Sequence, residues 1–101
     1  MTLSNLDKEL IWHPYTQEKL SPESLLIEKA KGPYLYTKDG RKIFDAISSW
    51  WVNLHGHCHP FIQEKIKDQM ENFEQILLAG HTHEKAITLA EKLLKKLPQD
   101  F

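Results

Sequence analysis

The sequence predicts an α+β chain: a short leading helix, a small antiparallel strand unit and two amphipathic helices. Three observations carry this. Asp39-Gly40 lies between two short strand-like runs, a hairpin signal because both positions tolerate positive φ. Ile62, Ile66, Met70 and Phe73 recur at helical spacing, and so do Ala86, Ile87, Ala90, Leu93, Leu94 and Leu97. Pro14, Pro60 and Pro98 fall where helices are expected to stop or start.

The first helix is expected over residues 4–12, capped by Ser4 or Asn5, with Leu6, Leu10 and Ile11 on one face. His13-Pro14 stops it, because the residue before proline avoids the helical region. Tyr15 then emerges in an extended or turn conformation, and residues 18–25 form a polar loop. Leu26 to Ala30 and Tyr34 to Thr37 are expected strands, broken by Gly32-Pro33, and Lys42 to Ala46 is the returning strand. Three strands this short are marginal alone in water. Pro60 suits the first position of the next helix, where its missing N–H costs nothing. The last helix is expected from Glu84 to Leu97.

Composition narrows the function classes. The net charge is −1, with cations and anions interleaved, so neither a basic stripe for nucleic acid nor an acidic tail is present. Cys58 is the only cysteine, which excludes an internal disulfide and fits a reducing compartment. The N-terminal stretch has no apolar signal core, and no apolar run approaches the ~20 residues of a membrane span. A soluble, cytoplasmic protein is the expectation. A chain of this size buries about 60–70% of its unfolded surface, which allows only a modest core. It ends at Phe101 just past a helix, with no closing strand, as a truncated domain would.

The stretch from Asp45 to Pro60 concentrates the chemistry, with Trp50, Trp51, Cys58 and three histidines. On an extended segment the two tryptophans point to opposite faces, one packed inward and one lining a cavity. Plain core packing of both is the competing reading. His55, His57, Cys58, His59, His81 and His83 are six candidate metal ligands. Structural zinc sites pair their ligands, as in C-x2-C with H-x3-5-H, and this pattern does not. A turn at Gly56 with histidines capping and hydrogen-bonding the backbone is the expected alternative, with no metal held. No dinucleotide fingerprint, phosphate loop or nucleophile elbow occurs, and no lysine stands in an obviously apolar setting.

Several segments taken in order go further: IWHPYTQ at 11–17, YLYTKDGR at 34–41, DAISSWW at 45–51, HGHCHP at 55–60 and AGHTH at 79–83. Together they resemble the N-terminal part of class III pyridoxal-phosphate aminotransferases. HPYT and SSWW resemble in particular the branch that forms 7,8-diaminopelargonate for biotin. AGHTH departs from the usual pattern, which has a second glycine and an apolar residue there.

The resemblance implies a fold-type I α/β transaminase in the complete enzyme: a large doubly wound domain, a small domain and a homodimer with shared sites. Residues 1–46 would supply the leading helix and strand unit, and 47–101 the substrate-pocket stretch and two helices entering the large domain. It implies pyridoxal 5′-phosphate as cofactor, with S-adenosylmethionine and 7-keto-8-aminopelargonate as substrates. By the same resemblance, Trp50 and Trp51 wall the substrate pocket and Tyr15 offers its hydroxyl to bound substrate. The Schiff-base lysine, the phosphate cradle and the aspartate on the pyridine nitrogen lie beyond Phe101 in that family, so no catalytic or cofactor-binding residue is expected here. Two alternatives remain: a class III enzyme acting on ornithine or an ω-amino acid, and a small histidine/cysteine zinc-binding or interaction module.

Overall fold

The computed structural model describes residues 2–98; the end at Phe101 lies outside them. The described chain forms two compact units that part between Glu64 and Lys65.

Helix α1 spans Leu3–Leu10. Its cap is Thr2 rather than Ser4 or Asn5: the Thr2 hydroxyl oxygen accepts the Asn5 N–H at 3.2 Å. The helix ends two residues short of the expected end at residue 12, and His13 folds back onto Asp7. His13 Nε2 lies 2.9 and 3.0 Å from the two Asp7 carboxylate oxygens.

Strands β1 (Ile27–Lys31), β2 (Tyr34–Thr37) and β3 (Lys42–Phe44) form one antiparallel sheet in the order β1-β2-β3. β1 and β2 join through Gly32-Pro33, with Lys31 opposite Tyr34 and Gly32 at φ 54°. That is a two-residue hairpin whose first central position favours glycine. A register shift between Ile27 and Lys29 places a bulge near the start of β1.

The β2–β3 turn differs from the expected one in detail. Gly40 alone carries positive φ, at 87°. The Gly40 N–H donates to the Thr37 carbonyl at 3.0 Å, and the Thr37 N–H to the Arg41 carbonyl at 3.0 Å. This is a three-residue loop with glycine last, a common hairpin form. Thr37, at 3% exposure, is the one fully buried residue among those described. Its hydroxyl donates to Asp39 and accepts from the Arg41 N–H, which braces the loop.

β3 stops at Phe44, two residues short of expectation, because Asp45 and Ala46 turn away to begin the next segment. That segment, α2 (Ser48–Trp51), is the main departure from the sequence reading. It is not extended, and Trp50 and Trp51 do not alternate across a strand. All four residues have positive φ, between 46° and 65°, making one left-handed helical turn without a glycine.

The chain then returns to the sheet. Gly32 and His57 exchange both backbone hydrogen bonds, at 2.9 and 2.8 Å. Gly56 is required at this approach: a Cβ there would sit 3.0 Å from Gly32 Cα. Helix α3 spans Pro60–Met70, with proline at its first position as expected. In the second unit, α4 spans Glu84–Leu94. Its N-cap is His83, whose Nδ1 accepts the Ala86 N–H at 3.3 Å. Phe73 meets the His83 ring edge-on at 5.4 Å between centroids.

No hydrophobic residue among those described is buried. The stripes of α3 and α4 are therefore apolar faces without cover here, including Ile62, Ile66, Met70, Ile87, Leu93 and Leu94.

Candidate functional site: an aromatic pair on left-handed backbone

Tyr15 and Trp50, far apart in sequence, come together. Their ring centroids are 5.0 Å apart and their planes tilted by 56°. Such aromatic pairs contribute about 0.5–1.5 kcal/mol beyond area burial. Both residues have left-handed backbone, Tyr15 at φ 57° and Trp50 at φ 63°. For non-glycine residues that conformation costs roughly 1–2 kcal/mol each, so other contacts must hold it. Residues forced into such regions cluster at binding and active sites. Trp51 shares the turn but makes no aromatic contact with this pair, and it is 77% exposed. Trp50 is 54% exposed and Tyr15 89%, so core packing is not what either does in this chain.

Each aromatic is presented by a turn tied to an aspartate–histidine pair. On the Tyr15 side, His13 is held by Asp7, with Ser24 Oγ 3.2 Å from the same ring nitrogen. The Thr16 hydroxyl donates to the His13 carbonyl at 2.8 Å, closing the turn on which Tyr15 stands. On the Trp50 side, Asp45 is the hub. Its Oδ1 accepts the Ser49 N–H at 3.0 Å, and its Oδ2 accepts the Ser49 hydroxyl at 2.8 Å. His57 Nε2 lies 2.7 Å from Oδ2. The Asp45 side chain is 5% exposed and that of His57 13%. The Ser49 N–H above all, then the hydrogen bond from His57 and the Ser49 hydroxyl, lower the Asp45 carboxyl to about 2.

Neither cluster is a hydrolytic triad. In a triad, histidine uses one ring nitrogen on the carboxylate and the other on the nucleophile. At His13 the carboxylate and Ser24 meet the same nitrogen, and Ser49 bonds the Asp45 carboxylate rather than an imidazole. The histidines do not assemble a metal site either. Among the described residues no three His, Cys, Asp or Glu side chains group as ligands. His57 is committed to Asp45, His83 caps α4, and the His55 and His59 rings meet edge-on with centroids 6.1 Å apart.

The lysines among the described residues all lie exposed. Asp45 and Ser49 were missed in the sequence. The signal was local: an aspartate four residues before a serine can close on its N–H and hydroxyl.

The left-handed aromatic turn follows a three-stranded sheet and precedes a proline-led helix. The sequence profile of the class III aminotransferases matches residues 15–101, and the chain belongs to that family. It is 46% identical to the adenosylmethionine-8-amino-7-oxononanoate aminotransferase of Synechococcus elongatus, over 88% of this chain and 21% of the relative. The crystal structure of the enzyme of that name from Methanocaldococcus jannaschii superposes with TM-score 0.88 at 42% identity, over 96% of this chain and 23% of that one. The omega transaminase of Pseudomonas jessenii in complex with PMP also gives TM-score 0.88, at 27% identity over 97% of this chain and 22% of that one. The chain thus spans about a fifth of the length of the curated relatives it matches.

Proposed function

We propose that this chain is the substrate-facing segment of a transaminase that moves an amino group from S-adenosylmethionine to 7-keto-8-aminopelargonate, giving 7,8-diaminopelargonate. The observation that carries the proposal is the Tyr15–Trp50 pair, built on strained backbone in a chain of this family. In the reaction pyridoxal 5′-phosphate serves as electron sink, and the protein's part is binding and orientation. This chain supplies the apolar wall. Trp50 offers a flat face for the aliphatic stem of the keto acid, Trp51 flanks it, and the Tyr15 hydroxyl donates one hydrogen bond to bound substrate. Residues 1–46 bring the leading helix and sheet to that wall, and 47–101 the wall itself and two helices of a larger domain.

Homodimer formation and a cytoplasmic location belong to the same proposal. The apolar faces of α3 and α4 favour a larger assembly, and no described helix is long and apolar enough to cross a membrane. An ω-amino-acid transaminase is the second reading, favoured by an equal TM-score to the Pseudomonas jessenii enzyme. Sequence identity weighs against it, at 27% for that enzyme and 42% for the Methanocaldococcus jannaschii one.

The test is steady-state kinetics with each amino donor and acceptor, on a family-length enzyme headed by this segment. A neutral hydrogen bond is worth about 0.5–1.5 kcal/mol, so Tyr15→Phe should reduce turnover by roughly tenfold at most. Trp50→Ala should cost more, because an aromatic wall covered by substrate approaches the ~3–5 kcal/mol of a buried aromatic. Both should retain the cofactor absorbance. Normal kinetics in Trp50→Ala, or loss of cofactor with substrate binding intact, would defeat the proposal.

A further inference from the structure

We propose that Asp45 is a positioning residue for the aromatic wall: by holding Ser49 and His57 together it keeps residues 48–51 left-handed and so seats Trp50 against Tyr15. The inference rests on the proposed role of Tyr15 and Trp50 at the substrate.

The argument starts from what the turn lacks. Ser48, Ser49, Trp50 and Trp51 all carry positive φ and none is glycine. Left to themselves, L-residues relax to the right-handed or extended regions. The turn's own backbone offers limited restraint. The Ser48 N–H donates to the Asp45 carbonyl at 3.2 Å and the Trp51 N–H to the Ile47 carbonyl at 2.9 Å. The Asn53 N–H donates to the Ser48 carbonyl at 3.0 Å, and the Val52 N–H donates to the same oxygen.

The strongest restraints converge on one carboxylate. Asp45 accepts from the Ser49 N–H, the Ser49 hydroxyl and His57 at 3.0, 2.8 and 2.7 Å. Hydrogen bonds to an ionised acceptor are stronger than neutral ones. His57 is itself locked to the sheet by its double backbone bond with Gly32. The chain of restraint therefore runs from sheet to His57, to Asp45, to Ser49, to Trp50. The Asp45 carboxylate bonds Ser49 and His57 rather than either aromatic residue; it acts through the turn.

Glycine separates this role from general structural support. It takes up positive φ without the Cβ penalty. A glycine at Ser48, where φ is 48°, leaves the Ser49 contacts in place and removes part of the strain that Asp45 opposes. If Asp45 works by holding the turn, Ser48→Gly should compensate for its loss.

The experiment uses the family-length enzyme headed by this segment, with 15N-indole-labelled tryptophan and the Trp50 signal assigned through Trp50→Phe. Asp45→Asn should shift or broaden the Trp50 indole signal and raise KM for the amino acceptor by roughly tenfold, with kcat changed less and cofactor absorbance retained. Adding Ser48→Gly to Asp45→Asn should restore most of the signal and of KM. Ser49→Ala, which removes only the hydroxyl bond, should move both in the same direction by less, and it serves if Asp45→Asn does not accumulate folded.

An unmoved Trp50 signal in the Asp45 or Ser49 variant overturns the inference, whatever the kinetics. So does a moved signal that Ser48→Gly fails to restore. A moved and restorable signal with unchanged KM supports the positioning role and overturns the substrate-wall reading instead.

Discussion

Asp45 is drawn out of the sheet and becomes the acceptor for a turn, and its ionisation is coupled to that geometry. The carboxyl lies at about 2 in the folded chain against an ordinary 3.8, so the folded form favours the charged state. The stabilisation is fully present above 3.8 and is lost as pH falls toward about 2. A tryptophan near-ultraviolet dichroism titration of the family-length enzyme should show a change in that window which Asp45→Asn abolishes. A change that persists in Asp45→Asn would assign it to other groups. Gly56 makes a second prediction at this scale. Gly56→Ala meets both a φ of 80° and the Gly32 backbone at 3.0 Å, whereas Gly40→Ala meets no atom within 4 Å. In the family-length enzyme, Gly40→Ala should therefore cost about 1–2 kcal/mol in denaturant unfolding, and Gly56→Ala more, with faster amide exchange at Gly32 and His57. Equal losses in the two variants would show that the close approach is unimportant.

Among the elements, α1 carries its own test. Thr2→Ala should cost about 0.5–2 kcal/mol and fray the first turn, while Thr2→Ser should retain the cap. Backbone exchange at Asn5 measures this, and an unaltered rate in Thr2→Ala would refute the cap. The elements also divide by how legible they were. The β2–β3 hairpin was legible because Gly40 carries its turn locally, and α3 because Pro60 marks its first residue. α2 was not legible, since none of its residues favours left-handed backbone and one of its restraints, from His57 to Asp45, spans 12 residues. The cap of α1 was missed because Thr2 precedes the serine and asparagine that look like better caps. Of the site, Trp50 and Trp51 stood out as adjacent tryptophans, while their substrate role and that of Tyr15 came from resemblance; the contact between Tyr15 and Trp50 needed coordinates.

For the molecule as a whole, the missing interior decides the expected behaviour. Thr37 is the only described residue that is buried, and it is polar. With no apolar residue buried among those described, the 101-residue chain alone should unfold without a sharp cooperative transition and bind hydrophobic dyes before denaturant is added. It should also fail to take up pyridoxal phosphate at a single lysine. A cofactor band fixed by borohydride at one site would contradict this.

The sheet has a consequence of a different kind. Among the described residues β1 and β3 are both outer strands, each with one flank that no further strand pairs. Open flanks template fibrils when they are long, flat and apolar. Here β3 is three residues long, β1 is kinked by its bulge, and Lys29, Lys31 and Lys42 stand along them. Charge and brevity guard these strands, while the helical faces carry no such guard. If the isolated chain precipitates, the deposit should be amorphous and should not bind thioflavin.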